Sequence, residues 1–514
     1  MISLPRALQA AVDDPLELES IVAVLSARFD VATGSRRLVR RRRLDTFDDR
    51  LRAAGLTLEH RLIAVRDRGA RDVTEQLVLG RPAGLAPLAV PVADLRWPAL
   101  ADALPLGPVR DAVAPVIGVR ALMVGSDERR RMRWLELRNS DGKIVARVEV
   151  DEPASPSAPA KPARLTVHGL RGYDDQARRA DALLCSLGLR AVDHRDISGS
   201  APEPQMPVTD RAVDARVLLA TALNGFLVTM RRNLPGLLDD VDTEFLHDFR
   251  VAVRRSRATL KLGRPVLPDV MRSRWEPAFK SLGDLTTPVR DLDVYELDLP
   301  VMSRWLVTAD PADLDPLAAH LRSRRMVARK ALVRSLRSAR FGRLVMGWGE
   351  ELAGLLDSPA QEDREQQPAG GFADQTIARA HRRVARDGAL IGAQSPAEDL
   401  HGLRKRCKEL RYALEVFAPM IDDAARGRAV ADLKDLQDVL GRFQDSEVQR
   451  RALRGFAEEM MAQGTTAGAM LAMGELIGHL DVEQERARRA FDVAFARFGR
   501  RSRLQLMHRP GGGR

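Results

Sequence analysis

The chain is poor in cysteine, in aromatic rings and in long apolar runs, and each shortage excludes a class of protein. Its 514 residues hold two cysteines, Cys185 and Cys407. Thiols so far apart build neither a disulfide framework nor a zinc cluster, so a reducing, cytoplasmic setting is expected. Aromatic residues make up 4%, which leaves few of the stacking platforms used to hold single-stranded nucleic acid. No uninterrupted apolar run approaches the roughly 18 residues needed to cross a membrane. The N-terminal MISLPRALQAAVDD turns acidic too soon for a secretion signal. GxxxxGK, HExxH, GxSxG and GxGxxG are all missing, so the common phosphate-loop, zinc-protease and nucleophile-elbow chemistries find no support.

Acid is scarce where base is dense. Lys and Arg number 82 against 71 Asp and Glu, a net charge of +11. From Pro316 to Gly349 there are nine Lys and Arg (among them Arg337 and Arg340) and no acid. A field of that sign favours polyanions.

A chain this long exceeds one ordinary core. The first part, 1–197, mixes strands and helices. A helix is expected from Asp14-Pro15 to Phe29, and strands at 36–46, 55–65, 120–124, 132–139 and 143–150. The last two join as a hairpin through Ser140-Asp141-Gly142. The Pro/Ala/Ser stretch 153–163 reads as a loop, followed by a strand at 164–170 and a helix at 174–188. A linker, 198-SGSAPEPQMP-207, leads to a region where apolar residues recur at three and four, the mark of helix. Helix breaks are expected near 233–236, 263–269, 309–316 and 357–371, and 506–514 reads as a disordered tail.

The helical region repeats itself at an offset of 154. His247, Arg250, Arg254 and Arg257 map onto His401, Arg404, Lys408 and Arg411, and 290-RDLDV-294 maps onto 444-QDSEV-448. ARFGR occurs at 339–343 and 496–500, the second copy containing Arg497. Residues 208–505 therefore form two related halves, about 208–356 and 372–505. At 100° per residue, His247, Arg250, Arg254, Arg257 and Lys261 share one stripe of about 80°. Apolar positions flank it on both sides, so the stripe is expected to face a groove between packed helices rather than open solvent. His401, Arg404, Lys408 and Arg411 repeat it. Asp291 and Asp293, with Asp445 and Glu447, offer partners for some of these cations, and Arg255 adds to the charge. Either the stripes are consumed by internal ion pairs or they hold an anion; Arg and Lys with surplus charge suit phosphate oxygens. Surrounding cations discourage protonation of the histidines, which favours neutral donors.

The pattern H-x-x-R-x-x-x-[RK]-x-x-R, once in 247-HDFRVAVRRSR-257 and again in 401-HGLRKRCKELR-411, resembles the CHAD domain, the conserved-histidine α-helical domain. The resemblance covers about 208–505. It implies two pseudo-symmetric helical bundles around a basic cavity that binds inorganic polyphosphate. His247, Arg250, Arg254, Arg257, Lys261, His401, Arg404, Lys408 and Arg411 would line it, with Arg255, Asp291, Asp445, Arg337, Arg340 and Arg497 in support. At the last step the halves diverge, Lys261 against Glu415. The first part is similar to the CYTH triphosphate-tunnel barrel through 44-LDTFDDRLRAAGLTLEHR-61 and 134-WLELRNSDGKIVARVEVD-151. That family's opening ExExK strand has its nearest counterpart in Glu17-Leu-Glu19, without the lysine. Thr166 and His168 stand where later carboxylates belong. The fold class expected is thus an α+β domain, a degenerate CYTH-like β-barrel, followed by an all-α domain of two pseudo-symmetric bundles.

Three functions follow. The first is polyphosphate binding, which could direct the protein to polyphosphate granules, with no cofactor of its own although a divalent metal could accompany the anion. The second is a metal-dependent triphosphatase in the first domain, disfavoured because two-metal chemistry needs clustered carboxylates. The third is nucleic-acid binding, disfavoured by the shortage of aromatics. The sequence sets no oligomeric state.

Overall fold

The computed structural model describes residues 6–9, 17–67, 70–81, 87–154, 163–192, 210–357 and 367–505. The expected linker 198–207 and tail 506–514 lie outside them. The chain divides into two compact units, Met1–Glu203 and Pro204–Arg514.

The first unit is built on one antiparallel sheet. Its elements run β1 (Arg6–Gln9), α1 (Leu18–Ser26), β2 (Asp30–Thr33), β3 (Arg37–Asp45), α2 (Arg50–Ala53), β4 (Thr57–Asp67), β5 (Ala70–Gly80) and β6 (Leu88–Val92). There follow α3 (Pro108–Ile117), β7 (Met123–Arg138), β8 (Ile144–Pro153), β9 (Arg164–Gly169), α4 (Asp174–Cys185) and β10 (Arg190–Val192). The strand order is β10-β1-β9-β8-β7-β3-β4-β5-β6, with β2 on β7. Among the described residues β6 and β10 do not pair, so the expected barrel is a half-barrel. The two strands expected at 120–124 and 132–139 are one 16-residue strand, β7. It turns into β8 through Gly142, whose φ of +73° suits the expected hairpin. The helix expected from Asp14-Pro15 to Phe29 is shorter: α1 begins at Leu18 and ends at Ser26, and Asp14-Pro15 lies outside the described residues.

Alternation with a period of two sends apolar residues to one face and polar ones to the other. Leu135, Leu137, Val148, Val150, Leu165 and Val167 pack beneath α1 and α4. Leu44, Leu58, Leu77 and Leu79 pack with Val109, Val113 and Ile117 of α3. The opposite face carries Arg41, Arg61, Glu149 and Asp151.

The second unit is all helix: α5 (Ala215–Asp239), α6 (Thr243–Leu262), α7 (Asp269–Met302), α8 (Asp315–Leu336), α9 (Ala339–Asp357), α10 (Ala369–Ala389), α11 (Ala397–Val416), α12 (Asp423–Ala462) and α13 (Ala467–Gln505). The repeat is visible in this order. Helices α5, α6 and α7 correspond to α10, α11 and α12. Helices α8 and α9 together match the single α13, so the first ARFGR begins a helix while the second lies inside one. The break expected at 233–236 does not occur, because α5 runs through Pro235 to Asp239. A proline inside a helix costs about 3 kcal/mol, but this turn is held by packing. At Gly236 a Cβ would meet the Phe245 ring at 2.5 Å, so glycine there lets α5 and α6 approach closely.

A pseudo-twofold axis relates the halves. Asp214 and Pro368, equivalent at the offset of 154, form an antiparallel bridge. Its bonds run from Ala215 N to Gln367 O at 2.9 Å and from Ala369 N to Val213 O at 2.8 Å. Equivalent residues meet only where such an axis passes.

Candidate functional site

Helix α6 starts where the Asp242 side chain accepts hydrogen bonds from the Glu244 and Phe245 amides, satisfying donors the first turn leaves open. Its buried side is Phe245, Leu246, Phe249, Ala252, Val253, Ser256, Thr259 and Leu260. Only one of the two apolar strips expected beside the basic stripe is core. Val251, Ala258 and Leu262 on the other side are half-buried, and Arg254 and Lys261 are exposed. The stripe therefore borders the core instead of lying enclosed between two packed faces.

Of the stripe cations in the first repeat only Arg250 is held among the described residues, and by hydroxyls and a carbonyl. Arg250 donates Nη1 to Thr286 Oγ1 at 2.8 Å, Thr287 Oγ1 at 3.0 Å and the Gly283 carbonyl at 3.2 Å. Burial lowers its pKa, Asp291 opposes this, and Arg254 and Arg290 lower it further. Arg290, on α7, has a buried Nη1 with no hydrogen-bond partner. Burial, then Arg290, lowers the His247 pKa, which favours the neutral ring. Arg254 and Lys261 make no hydrogen bond or ion pair among the described residues, and Arg257 makes none either. Asp291 does not neutralise the group: burial raises its carboxyl against the pull of Arg250 and Arg290. Asp293 is spent elsewhere, on Arg325 at 2.6 Å.

The second repeat is more fully paired. Positions 286 and 287 become Leu440 and Gly441, so no hydroxyls await Arg404, which donates to Asp445 at 2.9 Å instead. Position 290 becomes Gln444, whose Oε1 sits 2.7 Å from His401 Nδ1. Glu415, replacing Lys261, accepts from Arg411 at 2.9 Å and reaches across to Arg255 of α6 at 2.9 Å. Glu447 pairs with Arg451.

Helices α6 and α11 pack together, and Arg254 meets its own repeat-equivalent there. Lys408 is brought down to about 8 by burial, then by Arg404 and Arg254, with only Asp445 opposing. Arg254 in turn acts on His247 and Arg250. One charge thus acts on both halves, and Arg254 is a like charge near Lys408, its equivalent at the offset of 154. A group of Arg250, Arg254, Arg290, Arg404 and Lys408 needs counter-charge that Asp291 and Asp445 do not fully supply.

The supporting residues divide. Arg255, Asp291 and Asp445 belong to this junction. Arg337, Arg340 and Arg497 are exposed, the first two at the break between α8 and α9 and the third on α13. Arg325 and Arg329 of the acid-free segment are tied to Asp240, at 2.8 and 3.0 Å. Arg290 is the residue that sequence reasoning passed over. Its signal was its acidic neighbours, which drew it into a partner role.

In the first unit, carboxylates that no ExExK search finds do gather on the polar face. Asp151 holds Arg41 and Arg130, each at 2.7 Å. Glu59 pairs with Arg61 at 2.8 Å, and Glu149 lies 3.6 Å from Arg61 and 3.5 Å from His168. Burial alone would raise Glu59, but Arg61, Arg41 and Arg43 hold it at about 2. Arg164 falls to about 10 through burial and the nearby Arg43, Arg41 and Arg130. Each acid is engaged by arginine, and no group of three or more His, Cys, Asp or Glu among the described residues stands ready for a metal ion. Strand β1, Arg-Ala-Leu-Gln, brings no acid at all. Glu17 and Glu19 lie at the start of α1 and not on a strand.

The comparison with family models places this geometry. Residues 221–454 match the model described as the CHAD domain. The helical unit carries a CHAD domain. Both repeated helices and the segments bearing Arg290 and Gln444 fall inside the match. Among solved structures, the CHAD domain from the plant Ricinus communis is 26% identical, covering 59% of this chain and 97% of its own, with a TM-score of 0.46. PptA from Streptomyces chartreusis is 19% identical over 55% of this chain and 99% of its own, with a TM-score of 0.43. A protein of Hippeastrum described as an adenylyl cyclase with a dominant triphosphatase activity is 12% identical over 39% of this chain and 92% of its own, at 0.25. No curated protein matches. Among the described residues no helix is long and apolar enough to cross a membrane.

Proposed function

We propose that this protein binds inorganic polyphosphate at the junction of α6 and α11, and that the binding can carry it to polyphosphate granules. The observation behind this reading is the meeting of Arg254 and Lys408, repeat-equivalent cations whose mutual repulsion an anion relieves. Arg290 supports it, since a buried guanidinium nitrogen without a partner is an open donor for a phosphate oxygen. The exposed Arg254 and Lys261 leave the junction open to a chain that enters from solvent. A linear phosphate polymer offers the repeated oxygens such a cluster needs, and no base edges have to be read.

The test is calorimetric titration of the full chain with polyphosphate at several salt concentrations, followed by competition with duplex DNA. Affinity should fall linearly with salt on logarithmic axes, as it does when a polyanion releases counterions, and DNA should displace little polyphosphate. Equal or tighter binding of DNA would favour a nucleic-acid function. Phosphate release from tripolyphosphate with magnesium or manganese would favour a hydrolase.

A further inference from the structure

The helical unit holds a second feature, a cavity of about 660 Å³ between α7, α8 and the C-terminal end of α12. Small-molecule sites span roughly 300–1,000 Å³. None of the repeated-helix cations lines it. Pro288 and Leu292 from α7, Val327 from α8 and Met460 from α12 give it apolar wall, and Ser323, Gln463 and Thr465 add polar groups beside it. One corner is polar. Arg324 donates Nη1 to both carboxylate oxygens of Glu459 at 2.6 Å. Its guanidinium also lies 5.3 Å from the centre of the Phe456 ring. His320, whose side chain is only 9% exposed, brings Nε2 to 3.1 Å from Glu459 and packs edge-on against the same ring.

Glu459 and the Phe456 ring thus orient the half-exposed Arg324 fork, while its Nε and Nη2 carry no hydrogen bond among the described residues. Val327 is 67% exposed, apolar surface that an occupant would remove from water.

We propose that this cavity binds an amphipathic monoanion, an acyl chain or apolar ring bearing a single carboxylate. The carboxylate pairs with the open edge of Arg324, and the apolar body lies against Leu292, Val327 and Met460. The sign of the head group follows from its surroundings. After Asp315, helix α8 carries six Lys and Arg and no acid, and Glu459 is already engaged by Arg324 and His320. Three preset contacts on Arg324 also mean that little side-chain entropy is lost when the ligand arrives.

Calorimetric titration of the full chain with sodium octanoate tests this, with 1-octanol and acetate as controls. One equivalent of octanoate should bind, and both controls should bind at least about tenfold more weakly, since each lacks one of the two recognition elements. Arg324→Gln should weaken octanoate about tenfold or more. Ala319→Trp, at an exposed wall position, should abolish binding by filling the space. Circular dichroism checks that both variants fold, and Ala319→Trp alone decides if Arg324→Gln does not. No octanoate binding to the native chain, or undiminished binding in Ala319→Trp, overturns the proposal. So does octanol binding as tightly as octanoate.

Discussion

Lys408 is the residue whose chemistry is most sensitive to its neighbours. Burial, Arg404 and Arg254 bring its ammonium to about 8, so it is protonated at pH 7 and largely neutral at pH 9.5. A bound anion raises that value, and binding therefore takes up a proton above pH 8. Polyphosphate affinity should hold steady from pH 6.5 to 7.5 and drop about three- to tenfold by pH 9.5, each pKa unit being worth about 1.4 kcal/mol. Lys408→Arg should flatten the profile, which calorimetry at three pH values will show. Arg290 makes the complementary case. Replacing it with Gln, the residue at its repeat position 444, removes a buried unpaired donor. Stability should be unchanged or improved, while polyphosphate binding weakens about tenfold. A thermal melt read beside a titration separates the two effects. The stripe residues were legible in sequence because helical spacing and the repeat each point to them. Arg290 was not, since its unpaired nitrogen follows from the packing of α7 against α6, which no local pattern encodes.

At the scale of elements, the first unit depends on arginines and carboxylates spread over β3, β4, β7 and β8. Asp151 is 3% exposed and bridges Arg41 and Arg130. Asp151→Asn should destabilise the unit by about 3 kcal/mol, the usual cost of leaving buried charge without its partner, visible as a lower urea midpoint. Acid acts on the same network. Glu59 is depressed to about 2 in the folded state, so its contribution is complete above its unfolded value near 4.3 and is lost as pH falls toward 2. Urea midpoints should decline between pH 5 and 3, and less so in Glu59→Gln. Strands β3, β4, β8 and β9 were legible from alternation. Strand β1 was not, because four residues carry too little pattern, and β7 was split in two because its charged middle hides its continuity. The helix through Pro235 escaped for a related reason, as local propensity gave way to the packing of α5 on α6.

For the whole molecule, the sequence already carried the essential symmetry. One offset of 154 fixed the two halves, and the bridge between Asp214 and Pro368 is its physical form. What the offset does not reveal is how far the halves have diverged. The first presents Arg250, Arg254 and Arg290 with few counter-charges, whereas the second ties Arg404 to Asp445 and Arg411 to Glu415. The divergence expected from Lys261 against Glu415 extends to these positions, and the two stripes form an unequal pair that approaches at Arg254 and Lys408. The account stands or falls on that junction. Calorimetric titration of polyphosphate into Arg254→Glu/Lys408→Glu, beside an Arg337→Glu/Arg340→Glu control of the same net charge, tests it most directly. The account predicts loss of at least about two orders of magnitude in affinity for the first variant and little change for the second. Equal losses in both variants, or undiminished binding in the first, would contradict it.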